Sequence, residues 1–144
     1  MPEGELHRTL VQLLTASIMT RGDASWFLFV DGDQEHSHGC PPQLDVVRPD
    51  IFARSRRAPH VVIGEAKIAS DIENQHTILQ LTTYFRYLSS ESAGELLMAV
   101  PLAYSGLAHR ICRYARRISH SHHVPFQVLG FLVGKSVVSR MWRG

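Results

Sequence analysis

Two short runs carry charge where a buried strand is usually apolar. In "VVRPDIFARS" the acid is Asp50, and in "HVVIGEAK" the charged residues are Glu65 and Lys67. Side chains of a strand alternate between its faces. Over 61–67, Ile63, Glu65 and Lys67 then share one face, and Val62, Gly64 and Ala66 the other. With Asp50 on a neighbouring strand, two carboxylates meet and an amine stands beside them. Such carboxylates repel unless one takes a proton or a cation sits between them. Mg²⁺ or Mn²⁺ suits that place, because it binds oxygen and needs only one or two carboxylates besides water and substrate phosphate. The Ala66 carbonyl is a further candidate ligand. Lys67 would orient a water or meet charge developing on a phosphate. A salt bridge from Lys67 to Asp50 or Glu65 explains the same charges without any chemistry.

The elements that must position these residues follow from periodicity. "GELHRTLVQLLTASIMTRG" sets Leu6, Leu10, Leu13, Leu14 and Ile18 at helical spacing, with Gly22 as a stop. "SWFLFV" (25–30) reads as a strand, and the polar stretch 31–43 as a loop. Strands are expected near 44–53 and 60–67, joined by the basic "RSRRAP". Ser70 and Glu73 have the spacing of a capping box, which predicts a helix starting there. "ELLMAVP" (95–101) reads as a buried strand. In "SGLAHRICRYARRISH", Leu107, Ile111, Tyr114 and Ile118 mark one side of a helix and Arg110, Arg113 and Arg117 another. "FQVLGFLV" and "SVVSRMW" flank Gly134-Lys135, which predicts a C-terminal β-hairpin. The sum is one α/β domain with a mixed sheet. The strand at 95–101 follows a helix, as a parallel crossover requires.

Pro49-Asp50, a spacer, then Glu65-Ala66-Lys67 resembles the signature of the PD-(D/E)XK nuclease superfamily. The next helix carries Gln80-Leu81-Thr82-Thr83-Tyr84, similar to the Q-x-x-x-Y motif of the RecB and lambda-exonuclease-like subgroup. Gln80 and Tyr84 are an i,i+4 pair on one helix face, and His76 lies one turn earlier. The resemblance implies a restriction-endonuclease-like αβββαβ core flanked by helices. It implies metal-dependent hydrolysis of nucleic-acid phosphodiesters, with Asp50 and Glu65 as metal ligands, Lys67 acting on water or phosphate, and Gln80 and Tyr84 helping to position DNA or the site. Members often carry an acid on the first helix that reaches the metal; Glu5 is the candidate here, with Glu3 behind it. An acid near a helix N-terminus is also favoured without any such role. A noncatalytic nucleic-acid-binding or assembly protein on the same fold is the competing expectation.

The composition is compatible with these readings. The chain has 144 residues, 44% of them hydrophobic, which suffices for one domain with a real core. Net charge is +2, and the cations cluster. Arg54, Arg56 and Arg57 in one run, and Arg110, Arg113 and Arg117 in another, are candidate DNA contacts, or else solvated surface. Two cysteines make no disulfide framework, so a reduced, cytoplasmic setting is expected, with no signal peptide and no membrane span. "HSHGC" and "HSHH" lack the paired spacing of zinc sites, and "DGD" lacks the rest of a calcium loop. There is no room for a separate target-recognition domain, so sequence specificity is expected to be low, or supplied by a protein partner or by DNA structure. A homodimer, joined through the terminal hairpin, is a further expectation.

Overall fold

A computed structural model describes residues 3–21, 25–32 and 37–132, and the backbone of 137–143. Along the chain come α1 (Glu3–Met19), β1 (Trp26–Val30), β2 (Ile51–Ser55), β3 (His60–Ala66), the single turn α2 (Ala69–Ile72), α3 (Gln75–Ser89), β4 (Ala93–Pro101), a 3-10 turn (Leu102–Tyr104), α4 (Ser105–Ile118), β5 (Phe126–Leu132) and β6 (Val137–Arg143). The strands form one six-stranded sheet in sequence order. β1, β2 and β3 are antiparallel neighbours. β3, β4 and β5 run parallel, and β6 returns antiparallel to β5. The protein is thus α/β with a mixed sheet flanked by helices.

The sheet is covered on both faces. Leu10, Leu14 and Ile18 of α1 lie on one face against Ile51, Ala53, Val62, Ala66, Leu97 and Ala99. Leu81, Tyr84, Phe85 and Leu88 of α3 cover the other, over Phe52, Val61, Ile63, Leu96, Met98 and Val100. Burial on both sides is why "LLMAV" (96–100) reads as an unbroken apolar run, with alternate residues serving opposite layers. Gly64 lets α1 come close: a Cβ there would meet Leu14 Cδ2 at 3.0 Å and Ile51 Cβ at 3.1 Å.

Three expectations need correction. The strand expected near 44–53 begins only at Ile51. Leu44 and Val47 instead close a tight turn through mutual backbone bonds of 2.7 and 3.1 Å, with Asp45 in the left-handed region at φ 56°. The helix expected from Ser70 is broken in two. α2 has no side-chain cap, whereas Asn74 accepts the Thr77 N–H at 2.7 Å and starts α3 afresh. In α4 the buried side is Ser105, Ala108, Cys112 and Ala115; of the expected apolar side Leu107 and Ile111 pack partly buried against the core, while Tyr114 and Ile118 are exposed. Small residues let the helix axis approach its neighbours, so the large ones are turned to the flanks. Gly22, the Gly134-Lys135 turn, Asp33 of "DGD" and His36 of "HSHGC" lie outside the described residues. So do the side chains of β6, one half of the hairpin expected to join a dimer; those of β5 are described, and of these Leu132 is exposed.

Candidate active site

Asp50 immediately precedes β2, and Glu65 lies at the C-terminal end of β3, where Ile51 pairs with Gly64. The two acids clasp each other through the backbone. The Asp50 N–H donates to Glu65 Oε2 at 3.2 Å, and the Ala66 N–H donates to Asp50 Oδ2 at 2.9 Å. Lys67 follows β3; its N–H continues the pairing to the Ala99 carbonyl at 2.9 Å, so its side chain keeps the Glu65 face.

Helix α3 holds the remaining polar groups over that face. Gln80 accepts from Lys67 Nζ at 2.6 Å on Oε1 and donates from Nε2 to Glu65 Oε1 at 3.2 Å. Tyr84 donates its hydroxyl to Glu65 Oε2 at 3.1 Å. The i,i+4 pair therefore takes one Glu65 oxygen each. Lys67 Nζ is also 3.4 Å from Glu65 Oε1. This pairing is what makes the burial of Glu65, Lys67 and Gln80 tolerable.

Sequence reasoning missed His7. Its Nε2 lies 3.2 Å from Asp50 Oδ2. The available signal was its position: His7, Leu10 and Leu14 share a helix face, so an imidazole extends the buried stripe of α1. Glu5, expected to reach a metal, is exposed, and the α1 residue held against Asp50 is His7. Glu3 and His76 are exposed as well. The site opens toward solvent on the His7 side, since the His7 side chain is 43% exposed and that of Asp50 12%, against 3% for Glu65.

Electrostatics follow from this burial. Desolvation, reinforced by the Asp50 charge, pushes the Glu65 carboxyl up to about 8, with Lys67 and the donors on its oxygens pulling the other way. Burial and the nearby Glu65 charge push the Tyr84 hydroxyl far up, so it remains a donor. The hydrogen bond to Asp50 raises His7 despite partial burial.

The donor set fits a hard divalent cation in kind. Two carboxylates converge, and burial together with the Asp50 charge favours the protonated form of Glu65. That is the place where Mg²⁺ or Mn²⁺ would substitute for the proton. Among the described residues, no three or more His, Cys, Asp or Glu side chains form a ready-made metal cage. Mg²⁺ does not require one, because it keeps several waters.

The arginines lie elsewhere. Arg54 projects from β2, stacks over Phe52 and reaches Glu91 Oε1 at 3.4 Å. Arg56 lies over the Phe27 ring, 4.3 Å from its centroid, and reaches His38 Nε2 at 3.3 Å. Arg57 is exposed just beyond β2. Arg110, Arg113 and Arg117 form an exposed stripe on α4.

No protein-family model, curated protein or solved structure matches this chain. No helix among the described residues is long and apolar enough to cross a membrane.

Proposed function

We propose that this protein is a divalent-metal-dependent nuclease of the PD-(D/E)XK type, hydrolysing phosphodiester bonds of DNA with little sequence specificity of its own. One observation carries the reading. A buried glutamate has each oxygen held by one member of a Gln–Tyr pair, and the same glutamine holds the amine of Lys67. A lone structural salt bridge does not call for an amide set between its partners, nor for a second acid clasped to the first.

The order α1, β1, β2, β3, α3, β4 supports the finer assignment to a restriction-endonuclease-like core. Asp50 and Glu65 would hold Mg²⁺ or Mn²⁺, which when bound supplies positive charge to a phosphate and to an attacking water. Gln80 fixes the Lys67 amine at the site. An ammonium has three hydrogens; Gln80 takes one, and Glu65 lies at ion-pair distance, which leaves a hydrogen for a water or a phosphate oxygen. Tyr84 fixes the orientation of the Glu65 carboxylate. DNA would approach from the side where His7 and Asp50 meet solvent. Arg54 near the far end of β2, with Arg56 and Arg57 just beyond it, would take phosphates further along the DNA strand.

Incubation of the protein with linear, nicked, branched and single-stranded DNA in Mg²⁺ or Mn²⁺ tests the proposal. Cleavage that disappears in both Asp50→Asn and Glu65→Gln is the expected result. Intact DNA in every case, with DNA still bound, would leave a binding protein on this fold and overturn the enzyme.

A further inference from the structure

A second concentration of positive charge lies on α4. Arg110, Arg113, Tyr114, Arg116, Arg117 and His122 line a cleft of about 320 Å³, and no carboxylate is among them. The helix leads away from the carboxylate site. It starts beyond Pro101, at the Glu65 end of β4, and returns toward Val124, just ahead of β5.

Cations are favoured in the last turn of any helix by its dipole, which accounts for Arg116 and Arg117. It does not account for Arg110 and Arg113, two turns and one turn earlier. One of the guanidinium planes, that of Arg116, is fixed in place. Arg116 Nη1 donates to the Val124 carbonyl at 3.2 Å and stacks 4.7 Å from the Phe126 ring centroid. Arg117 lies 5.5 Å from the Tyr114 ring centroid. A guanidinium group held like that of Arg116 loses little freedom on meeting an oxyanion, and such groups suit phosphate in particular. Arg110 and Arg117 are about 10 Å apart along the helix axis, enough for more than one phosphate.

We propose that this cleft is a phosphate-binding site, distinct from the Asp50–Glu65 site, which takes a ligand bearing linked phosphates. The proposal goes beyond the nuclease reading and holds whether or not the protein cleaves DNA. Two sources share the chemistry: the backbone of a nucleic-acid strand and a small free polyphosphate.

Binding of a labelled oligothymidine and of inorganic tripolyphosphate, both in excess chelator so that nothing is cleaved, tests it. Arg86→Gln, at an exposed cation of α3 outside both sites, should bind like the wild type. Arg113→Gln combined with Arg117→Gln should weaken binding by about 10-fold or more and make the oligonucleotide's log–log salt slope shallower by about 1.4. Tighter binding of the oligonucleotide identifies a strand as the ligand, and equal or tighter binding of tripolyphosphate identifies a small polyphosphate; either supports the site. Should the paired variant melt early, Arg110→Gln carries the same test on an exposed earlier turn. Binding of neither probe by the wild type, or affinities within twofold in folded variants, would overturn the proposal.

Discussion

Tyr84 gives its hydroxyl hydrogen to Glu65 Oε2 at 3.1 Å, in a place where neither residue has appreciable contact with water. The bond favours the charged carboxylate and is one of the few influences that hold the Glu65 carboxyl down. Tyr84→Phe keeps the ring and deletes only this donor. Stability should fall by roughly 1–2 kcal/mol, the usual cost of losing a buried bond to a carboxylate. The Glu65 carboxyl should titrate higher still. Urea unfolding gives the first quantity and carboxyl NMR the second. An unchanged titration would mean that the hydroxyl does not govern the Glu65 charge.

Stability of the metal-free protein should depend on pH through Glu65 and His7. The Glu65 carboxyl is raised from 4.5 to about 8, so its contribution is fully present below pH 4.5 and is lost as pH rises through 8. His7 is raised above 6.5, and its contribution is likewise present below 6.5 and lost above its folded value. Both act in the same direction, so melting temperature in chelator should fall between pH 5 and pH 8. Glu65→Gln cannot release a proton and should show a flatter decline. Mg²⁺ replaces the proton at the acids and should restore part of the lost stability at pH 8. A wild type and a Glu65→Gln variant with parallel profiles would remove Glu65 as the source.

Divalent-metal affinity should depend on both acids. Asp50→Asn and Glu65→Gln each remove a charge while keeping the size and most hydrogen bonds of the side chain. Calorimetry with Mn²⁺ should show weaker binding in each. Wild-type affinity in both variants would dissociate the metal from this pair.

Parts of the site and fold are legible in the sequence because local periodicity determines them. Glu65 and Lys67 share a face through the two-residue repeat of a strand, and Gln80 and Tyr84 through the four-residue repeat of a helix. Both rules hold in the structure without long-range information. The tight turn at Leu44–Val47 is not legible, because "LDVV" has a strand-like composition and only Asp45 in the left-handed region breaks it. His7 meets Asp50 across 43 positions of sequence, and no local repeat encodes that contact. The buried side of α4 was obscured by side-chain size: Ala108, Cys112 and Ala115 face inward because close packing excludes the larger Tyr114 and Ile118.

Lys67 separates catalysis from structure. Its amine is 2.6 Å from Gln80 Oε1 but 3.4 Å from Glu65 Oε1, so the amide holds it more closely than the acid does. If the amine serves the reaction, Lys67→Ala should lower single-turnover cleavage by a factor on the order of 10² to 10⁴, the usual scale for a positioned proton-transfer or charge-stabilising group. DNA affinity should change little. Metal affinity should hold or rise slightly, because the acids lose a competing cation. A purely structural salt bridge has the opposite signature. It would show lower stability from an unpaired buried carboxylate, and no cleavage in the wild type to lose. Melting temperature, manganese affinity and single-turnover rate, measured on the wild type and the variant, distinguish the two. A Lys67→Ala protein that cleaves at the wild-type rate would exclude the amine from the reaction and leave it as a tether for Gln80.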